Sequence, residues 1–294
     1  MRFIRFLLKE LVFRAILFTV FGTMALTALY LFSIGAPAED YTKAIKTFTL
    51  FITFAPEFSS AQVGFSAQTI IASGAAITFP LALGSLFFMT MIALISSSAS
   101  ASSRYLAGEH GRHFDASVSG LIGMAASVLS ATPLFVGFWL LYGFFGMNPP
   151  MIFIALVTVL VGGAGWDASR FLIMDMHRQI DSTHTMVYSM LGPSVGRFFP
   201  FPGTMSGYLL NSCAPRFIPY IAGKVPAIIG GITIAEMVFS FPGLGRTLLE
   251  SLLTRNDEQL IASVFVLLSV NAFVTFLVKT VLFVMYPRWY EKAI

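Results

Sequence analysis

Four long stretches of the chain carry no charged residue, and they constrain its fold more than any other feature. They are residues 15–38, 58–103, 116–166 and 259–278. A helix needs about 20 apolar residues to cross the roughly 30 Å hydrocarbon core of a bilayer. Each stretch is long enough for a crossing, and 56% of the 294 residues are hydrophobic against 11% that are charged. The sequence therefore predicts a helical membrane protein and excludes a soluble globular fold.

The apolar stretches predict an all-α polytopic fold with six transmembrane helices. We place the spans at 14–36, 74–99, 117–145, 150–172, 217–242 and 260–286. Lys and Arg are enriched in cytoplasmic loops. Basic residues are found before the first span, after the second and fourth spans, and after the sixth span. They all lie on one side of the membrane if both termini are cytoplasmic. We therefore expect cytoplasmic N and C termini and a multi-pass protein of a bacterial-type cytoplasmic (inner) membrane.

This topology divides the chain into three regions. Residues 1–13 place basic side chains opposite apolar ones, which predicts an amphipathic N-terminal segment in the lipid headgroup plane; basic residues that only fix the orientation are the alternative. Residues 14–73 contain the first transmembrane span and an external segment, 39–73, to which we assign no structure. Residues 74–290 form a core of five spans with a long cytoplasmic loop at 174–216.

The loop at 174–216 is longer than a connection between two spans needs, and long loops in compact folds are usually functional. It contains a short apolar run, Met186-Val-Tyr-Ser-Met-Leu-Gly192, which a glycine closes. A short helix of this kind can insert its apolar side chains into a groove of a cytoplasmic partner. The candidate docking residues are Met186, Val187, Tyr188, Leu191 and Gly192. The alternative, a loop that packs only on its own helices, stays open.

A single carboxylate lies in the otherwise uncharged end of the fifth predicted span. Glu236 is followed by Pro242-Gly-Leu-Gly245, a turn sequence at the point where the span should surface. A charge at that depth is costly and usually has a function. Glu236 could line a pathway, cap the helix end or bond a neighbouring subunit, and we favour a structural role over substrate contact. The residues predicted to form this outer gate or structural element are Glu236, Phe239, Pro242, Gly243 and Gly245.

Lys224 lies on the same predicted helix as Glu236 but cannot pair with it. The two residues are 12 positions apart, which is about 18 Å along a helix. Asp167, near the inner end of the fourth predicted span, is a better partner. We therefore predict Asp167 and Lys224 as a possible buried ion pair.

The stretch Ile229–Arg246 resembles the end of the fifth span in the transmembrane permease subunits of peptide/nickel-type (dipeptide/oligopeptide) ABC importers. That family combines a small-residue helix, a Glu, a Phe three residues later and then Pro-Gly-x-Gly. Supporting similarities lie at Leu129–Phe135, Asn211–Pro219, Arg255–Asp257, Asn271 and Tyr286–Arg288. The resemblance covers roughly residues 75–290 and implies a type I ABC importer permease fold.

The resemblance also implies a function without covalent chemistry in this chain. Such a permease pairs with a second homologous permease, two ABC ATPase subunits or domains that bind ATP and Mg²⁺, and an external solute-binding protein. The element at Thr185–Gly192 would transmit closure of the ATPases to an alternating-access path for peptides or similar small solutes. We expect no catalytic, cofactor or metal site in this chain and no binding to nucleic acid.

The sequence departs from the family pattern at the docking loop. Residues Thr185–Leu191 lack the usual Ala-Arg-Ala-Lys, extra residues precede Asn211, and Lys279 and Tyr286 replace acids. The chain is thus a divergent member, and two other functions stay open. A self-contained secondary transporter would need an inverted repeat and a coupling-ion site, neither of which the sequence shows. The other is a permease-like assembly or interaction protein that has lost ATPase coupling.

Overall fold

The computed structural model describes residues 8–17, 67–106, 123–129, 131–194, 200–254 and 257–285, together with the single positions 6, 19, 20, 22, 24, 120 and 121. These residues are mostly helical and contain no β-strand, which confirms the predicted all-α class. We label eight helices: α1 (Ala67–Leu106), α2 (Leu134–Phe145), α3 (Met151–Leu160), α4 (Ala164–Ile180), α5 (Thr183–Ser189), α6 (Met205–Val238), α7 (Leu244–Thr254) and α8 (Asp257–Met285). Residues 8–17 and 123–129 are also helical.

Three helices are long and apolar enough to cross a membrane, namely α1, α6 and α8, over Ala72–Arg104, Met205–Val238 and Ser263–Val284. Two bent pairs reach the same length when each pair is taken as one span. The described residues therefore contain three to five candidate spans. The first predicted span, 14–36, lies mostly outside the described residues, so the six spans and the orientation of the termini stay predictions.

The third and fourth predicted spans are not single straight helices. Gly123–Leu129 meets α2 at 85°, and α3 meets α4 at 56°. Pro133 precedes α2 with φ −58° and ψ 136°; a proline has no N–H to continue a helix, and it disfavours helical geometry in the preceding residue. Gly163 precedes α4 with φ +78°, in the left-handed region. The predicted spans 117–145 and 150–172 therefore each contain a break that the sequence did not indicate, and each bent pair is still long enough to be one span.

The fifth predicted span, 217–242, also has different bounds in the structure. Helix α6 begins 12 residues earlier, at Met205, where Thr204 Oγ1 accepts a hydrogen bond from the Gly207 N–H at 3.1 Å and caps the first turn. It continues through Pro215, Pro219 and Pro226, which membrane helices tolerate better than soluble ones. It ends at Val238, before the predicted Pro-Gly stop.

Helix α1 extends the second predicted span, 74–99, at both ends. Its serine-rich tail is helical, and the hydroxyl groups of Ser96, Ser97 and Ser103 each donate to the carbonyl three residues earlier. These bonds satisfy the hydroxyl groups within their own helix. Helix α8 agrees with the sixth predicted span, 260–286, to within a few residues.

The chain forms two compact units. The first contains residues 1–79 and 240–281, and the second contains residues 80–239 and 282–294. The core of the second unit is formed by fully buried side chains from several helices, among them Leu81, Met89, Phe138, Ile154 and Met176.

Small residues permit close helix packing in this second unit. A Cβ atom on Gly137 of α2 would lie 3.0 Å from side-chain atoms of Val157 and Val161, and one on Gly231 of α6 would lie 3.0 Å from Leu134 and Thr158. Close approach at glycine is a common way for membrane helices to associate.

Contacts between charged and polar side chains give the relative directions of three helices in the second unit. Ser100 Oγ lies 2.9 Å from His177 Nε2, and Arg104 donates to Asp181 at 2.9 Å. Both contacts join residues 77 positions apart, so α1 and α4 run parallel. The contacts of α4 with α6, described below, run in the antiparallel sense. These directions are those of the second, fourth and fifth predicted spans.

Candidate functional site

The candidate docking loop contains a short helix, α5, although its bounds differ from the apolar run Met186–Gly192. It starts at Thr183, just after Ser182, which has an extended backbone conformation with φ −84° and ψ 148°. The Ser182 carbonyl accepts hydrogen bonds from the N–H groups of Thr185 and Met186. After Ser189 the chain continues to Gly192, whose φ of +65° is readily adopted only by glycine.

Four apolar side chains of this segment are exposed, between 59% and 78%. We call them the α5 apolar surface: Met186, Val187, Met190 and Leu191. Thr185 lies on the side of the helix that faces the protein and is 1% exposed. An amphipathic element with an exposed apolar side is suited to insertion into a groove of a partner.

Tyr188 does not belong to this exposed surface, because it packs on α6. Its ring stacks on the ring of Tyr208 at a distance of 4.0 Å and an angle of 7°. The His184 ring lies 6.0 Å from the same Tyr208 ring. Tyr208, in the first turn of α6, therefore positions α5. The sequence analysis missed it, and Tyr208 carries no local signal that would have identified the contact.

The predicted Pro-Gly-x-Gly turn leads into a helix that the sequence analysis did not anticipate. Ser240, shortly after α6, has φ +57°, an uncommon conformation for a residue other than glycine. The Leu244 N–H at the start of α7 donates to the buried Thr78 Oγ1 at 2.9 Å. The N–H and the side-chain hydroxyl of Thr247 both donate to the Gly243 carbonyl. The turn is therefore held by a side chain of α1 and by the first turn of α7.

Gly74 of α1 lies directly against this turn. A Cβ atom at this position would be 3.1 Å from Leu244 N and 3.2 Å from the Gly243 carbonyl carbon. Only a glycine lets the two backbones approach this closely without displacement. The signal was present in the small-residue run around Gly74, but the sequence does not tell which turn it would contact.

Glu236 and Phe239 are buried in the second unit, with exposures of 0% and 2%. The Phe239 ring packs edge-to-face on Phe138, with ring centres 6.0 Å apart, and lies 6.5 Å from the ring of Tyr142. Glu236 is thus fully covered by the chain. Its predicted roles remain predictions.

The structure brings Asp167 and Lys224 together. Lys224 Nζ donates to Asp167 Oδ2 at 2.7 Å, with 27% of the lysine and 47% of the aspartate side chain exposed. The pair joins α4 to α6 but is only partly covered by this chain. A second pair between the same helices, Arg216 with Asp175, was missed, and there the carboxylate is 8% exposed.

Lys279, where the family pattern has an acid, pairs with the N-terminal helix in the first unit. Its Nζ lies 2.7 Å from Glu10 Oε1, which also accepts a hydrogen bond from Arg14 Nε at 2.9 Å. Lys279 Nζ lies 5.9 Å from the centre of the Phe13 ring. Burial raises the pKa of Glu10, but the hydrogen bonds and charges of Lys279 and Arg14 lower it by more, so this pKa lies below its usual value of 4.5.

This lowered pKa predicts a pH dependence. A carboxylate with a depressed pKa stabilises the folded state above its unfolded pKa, and the contribution is lost as the pH falls through the folded pKa. Glu10→Gln should therefore reduce the thermal stability of the detergent-purified chain at pH 7, and the difference from the unaltered chain should shrink as the pH falls below 4.5 and through the lowered pKa of Glu10. Glu250→Gln is the control, since the Arg246–Glu250 pair has the same i,i+4 spacing but an exposed carboxylate. An equal loss in both variants would contradict the prediction.

Among the described residues, no group of three or more His, Cys, Asp or Glu side chains could hold a metal ion.

Comparison with known proteins gives a local similarity to oligopeptide transport permeases. The chain is 35% identical over 60 residues to the oligopeptide transport system permease protein AmiC of Streptococcus pneumoniae serotype 4 (strain ATCC BAA-334 / TIGR4). It has the same similarity to the protein of that name from strain ATCC BAA-255 / R6. The matched stretch is 19% of this chain and spans 12% of the length of these curated relatives. No protein-family model matches the chain.

Proposed function

We propose that the chain is a transmembrane permease subunit of an ATP-binding-cassette importer in the cytoplasmic membrane. The observation that carries the proposal is the α5 apolar surface, which stands exposed on the connection between α4 and α6. Exposed apolar patches outside membrane spans commonly mark protein contacts. The local similarity to two oligopeptide transport permeases supports the same function.

In this function the chain forms, with a second homologous permease, an alternating-access path for peptides or similar small solutes. An external solute-binding protein delivers the solute, and two partner ATPases bind ATP and Mg²⁺. Closure of the ATPases displaces α5, and the packed helices switch between two arrangements. The complete burial of Glu236 favours a structural or outer-gate role over direct contact with the solute.

A second function has one observation in its favour. Helix α5, Thr-His-Thr-Met-Val-Tyr-Ser, contains no Lys or Arg, so it departs from the Ala-Arg-Ala-Lys of the family pattern. A permease-like assembly or interaction protein without ATPase coupling would also expose an apolar surface here. In that case the partner would be a protein other than an ATPase.

Co-purification separates the two functions. The tagged chain is expressed together with its neighbouring reading frames and extracted in mild detergent. Recovery of an ATPase and a second six-span protein is the expected result for an importer. Recovery of neither, from membranes in which both are present, contradicts the importer function.

Leu191→Glu should reduce the recovery of the ATPase about tenfold or more, because burial of a leucine side chain at an interface contributes about 1.5–3 kcal/mol and a buried charge adds a further cost. The matched control is Leu253→Glu on α7, because Leu253 is 80% exposed and Leu191 is 78% exposed. The predicted topology places the two leucines on opposite sides of the membrane. Unchanged recovery of the ATPase with Leu191→Glu would show that the ATPase docks on a surface other than α5.

A further inference from the structure

Three contacts between α4 and α6 fall at regular intervals, and we call them the α4–α6 ladder. Its rungs are Asp167 with Lys224, Phe171 with Tyr220, and Asp175 with Arg216. The ion pairs have N to O distances of 2.7 and 2.5 Å, and the two rings lie 4.3 Å apart at an angle of 9°. Each rung lies four residues further along α4 and four residues earlier along α6. This is the contact pattern of two antiparallel helices in one register.

Helix geometry explains the spacing of the rungs. Residues four positions apart lie on the same face of a helix and about 6 Å apart along its axis. The aromatic rung lies between the charged rungs, and Lys224 Nζ is also 5.4 Å from the centre of the Tyr220 ring. The three contacts therefore form one continuous strip, and sliding of the helices would break all of them together.

A slip of one turn in either direction would remove the cation from both carboxylates. In one direction Asp167 would face Tyr220, and Asp175 would face Ser212. In the other direction Asp167 would face Ile228, and Asp175 would face Tyr220. A charge without its partner is strongly unfavourable in the protein interior and at membrane depth. The two ion pairs thus select one register and disfavour both neighbouring ones.

The same two helices hold α5. Only Asp181 and Ser182 separate α4 from α5, and Ser182 Oγ donates to the Gln179 carbonyl at the end of α4. On the other side, Tyr188 stacks on Tyr208 in the first turn of α6. Since α5 is attached to both helices, its position depends on their register.

We propose that Asp167, Asp175 and their cationic partners are positioning residues that hold the α5 apolar surface in one fixed register relative to α6. Helices α4, α5 and α6 then move as one body. Because α4 and α6 cannot slide past each other, a displacement of α5 also displaces the far end of α6, where the buried Glu236 lies. A role of this fixed register in transport rests on the proposed function. The existence of the register does not depend on that function.

Cysteine crosslinking in membranes tests the register. All variants share Phe171→Cys, and the reference set keeps both ion pairs. A second cysteine at Phe217 reports the observed register, because the Phe171 and Phe217 rings lie 6.5 Å apart. Cys213 and a cysteine at Ile221 lie one turn before and after Phe217 and report the two slips. The variants at Phe217 and Ile221 also carry Cys213→Ser, so that each chain has one pair only.

With a short bifunctional thiol reagent, each pair is compared with itself before and after removal of both cations, because Cys213 is fully buried and thiols at different depths react at different rates. Removal should lower crosslinking of the Phe171–Phe217 pair severalfold, since one turn moves the partner by about 6 Å. Adding Arg216→Gln and Lys224→Gln should raise crosslinking of at least one slipped pair. This arm also shows that a slipped pair can react. An unchanged crosslinking pattern after both cations are removed would overturn the proposal.

This experiment separates the register from the proposed function. The crosslinks are measured on the chain without any partner, so their pattern does not depend on an ATPase. If no ATPase is recovered but crosslinking still depends on the two cations, the importer function alone is contradicted. If an ATPase is recovered but removal of the cations leaves the crosslinking pattern unchanged, the register proposal alone is contradicted.

Discussion

Arg216→Leu should destabilise the second unit by about 3–5 kcal/mol, because it leaves the carboxylate of Asp175 buried without its cation. That carboxylate is 8% exposed, and its Oδ1 accepts the hydrogen bond from Arg216. The buried thiol of Cys213 also lies beside this carboxylate, but it carries no positive charge. The guanidinium is therefore the main compensation for this charge. The expected measurement is a large drop in the midpoint of thermal unfolding in detergent.

Two variants make this result specific. In the double variant Asp175→Leu with Arg216→Leu, most of the lost stability should return, since replacement of both members of a buried pair by apolar residues is often neutral. Arg104→Leu also breaks an Arg–Asp pair, but Asp181 is 67% exposed, so the loss should stay below about 1 kcal/mol. Similar losses for Arg216→Leu and Arg104→Leu would contradict the assigned role of burial.

Gly74→Val should disrupt the contact between α1 and the Pro-Gly turn. Its Cβ would lie 3.1 Å from Leu244 N, and its two methyl groups would need further space. The turn cannot easily yield, because the Leu244 N–H is bound to Thr78 on the same helix. Overpacking of a tight contact costs typically about 1–3 kcal/mol. We expect loss of monodisperse protein in size-exclusion chromatography and a lower unfolding temperature.

The control for this variant is Gly143→Val on α2, where no atom lies within 4 Å of the added Cβ. Both substitutions place a β-branched residue in a helix, so differences in helix propensity cancel. Gly143→Val should leave chromatographic behaviour unchanged. If the two variants behave alike, the close approach at Gly74 does not restrict this position.

The sequence identified the helical class because charge-free stretches have few other stable conformations in a membrane. It failed at the breaks before α2 and α4, where Pro133 and Gly163 lie inside runs that are otherwise continuous and apolar. A proline in a membrane helix can be tolerated, as Pro219 in α6 is, or can end the helix, as Pro133 does. Hydropathy does not separate these two outcomes, because the difference depends on the surrounding packing.

Pairing of charges was partly accessible from the sequence. The distance count along α6 excluded a contact of Lys224 with Glu236 and suggested Asp167. The same reasoning extends to the missed pair, since Asp175 lies eight residues after Asp167 and Arg216 lies eight residues before Lys224. The pairing of Glu10 with Lys279 had no such signal, because these residues are far apart in sequence and only tertiary structure brings them together.

The prolines of α6 give the ladder a mechanical meaning. Pro215, Pro219 and Pro226 each remove a backbone hydrogen bond from the helix, and such sites are where helices bend. The α6 residues of the ladder, 216, 220 and 224, all lie between Pro215 and Pro226. The stiffness of this part of α6 is therefore supplied largely by α4. Loss of the ladder contacts should therefore allow α6 to bend between Pro215 and Pro226.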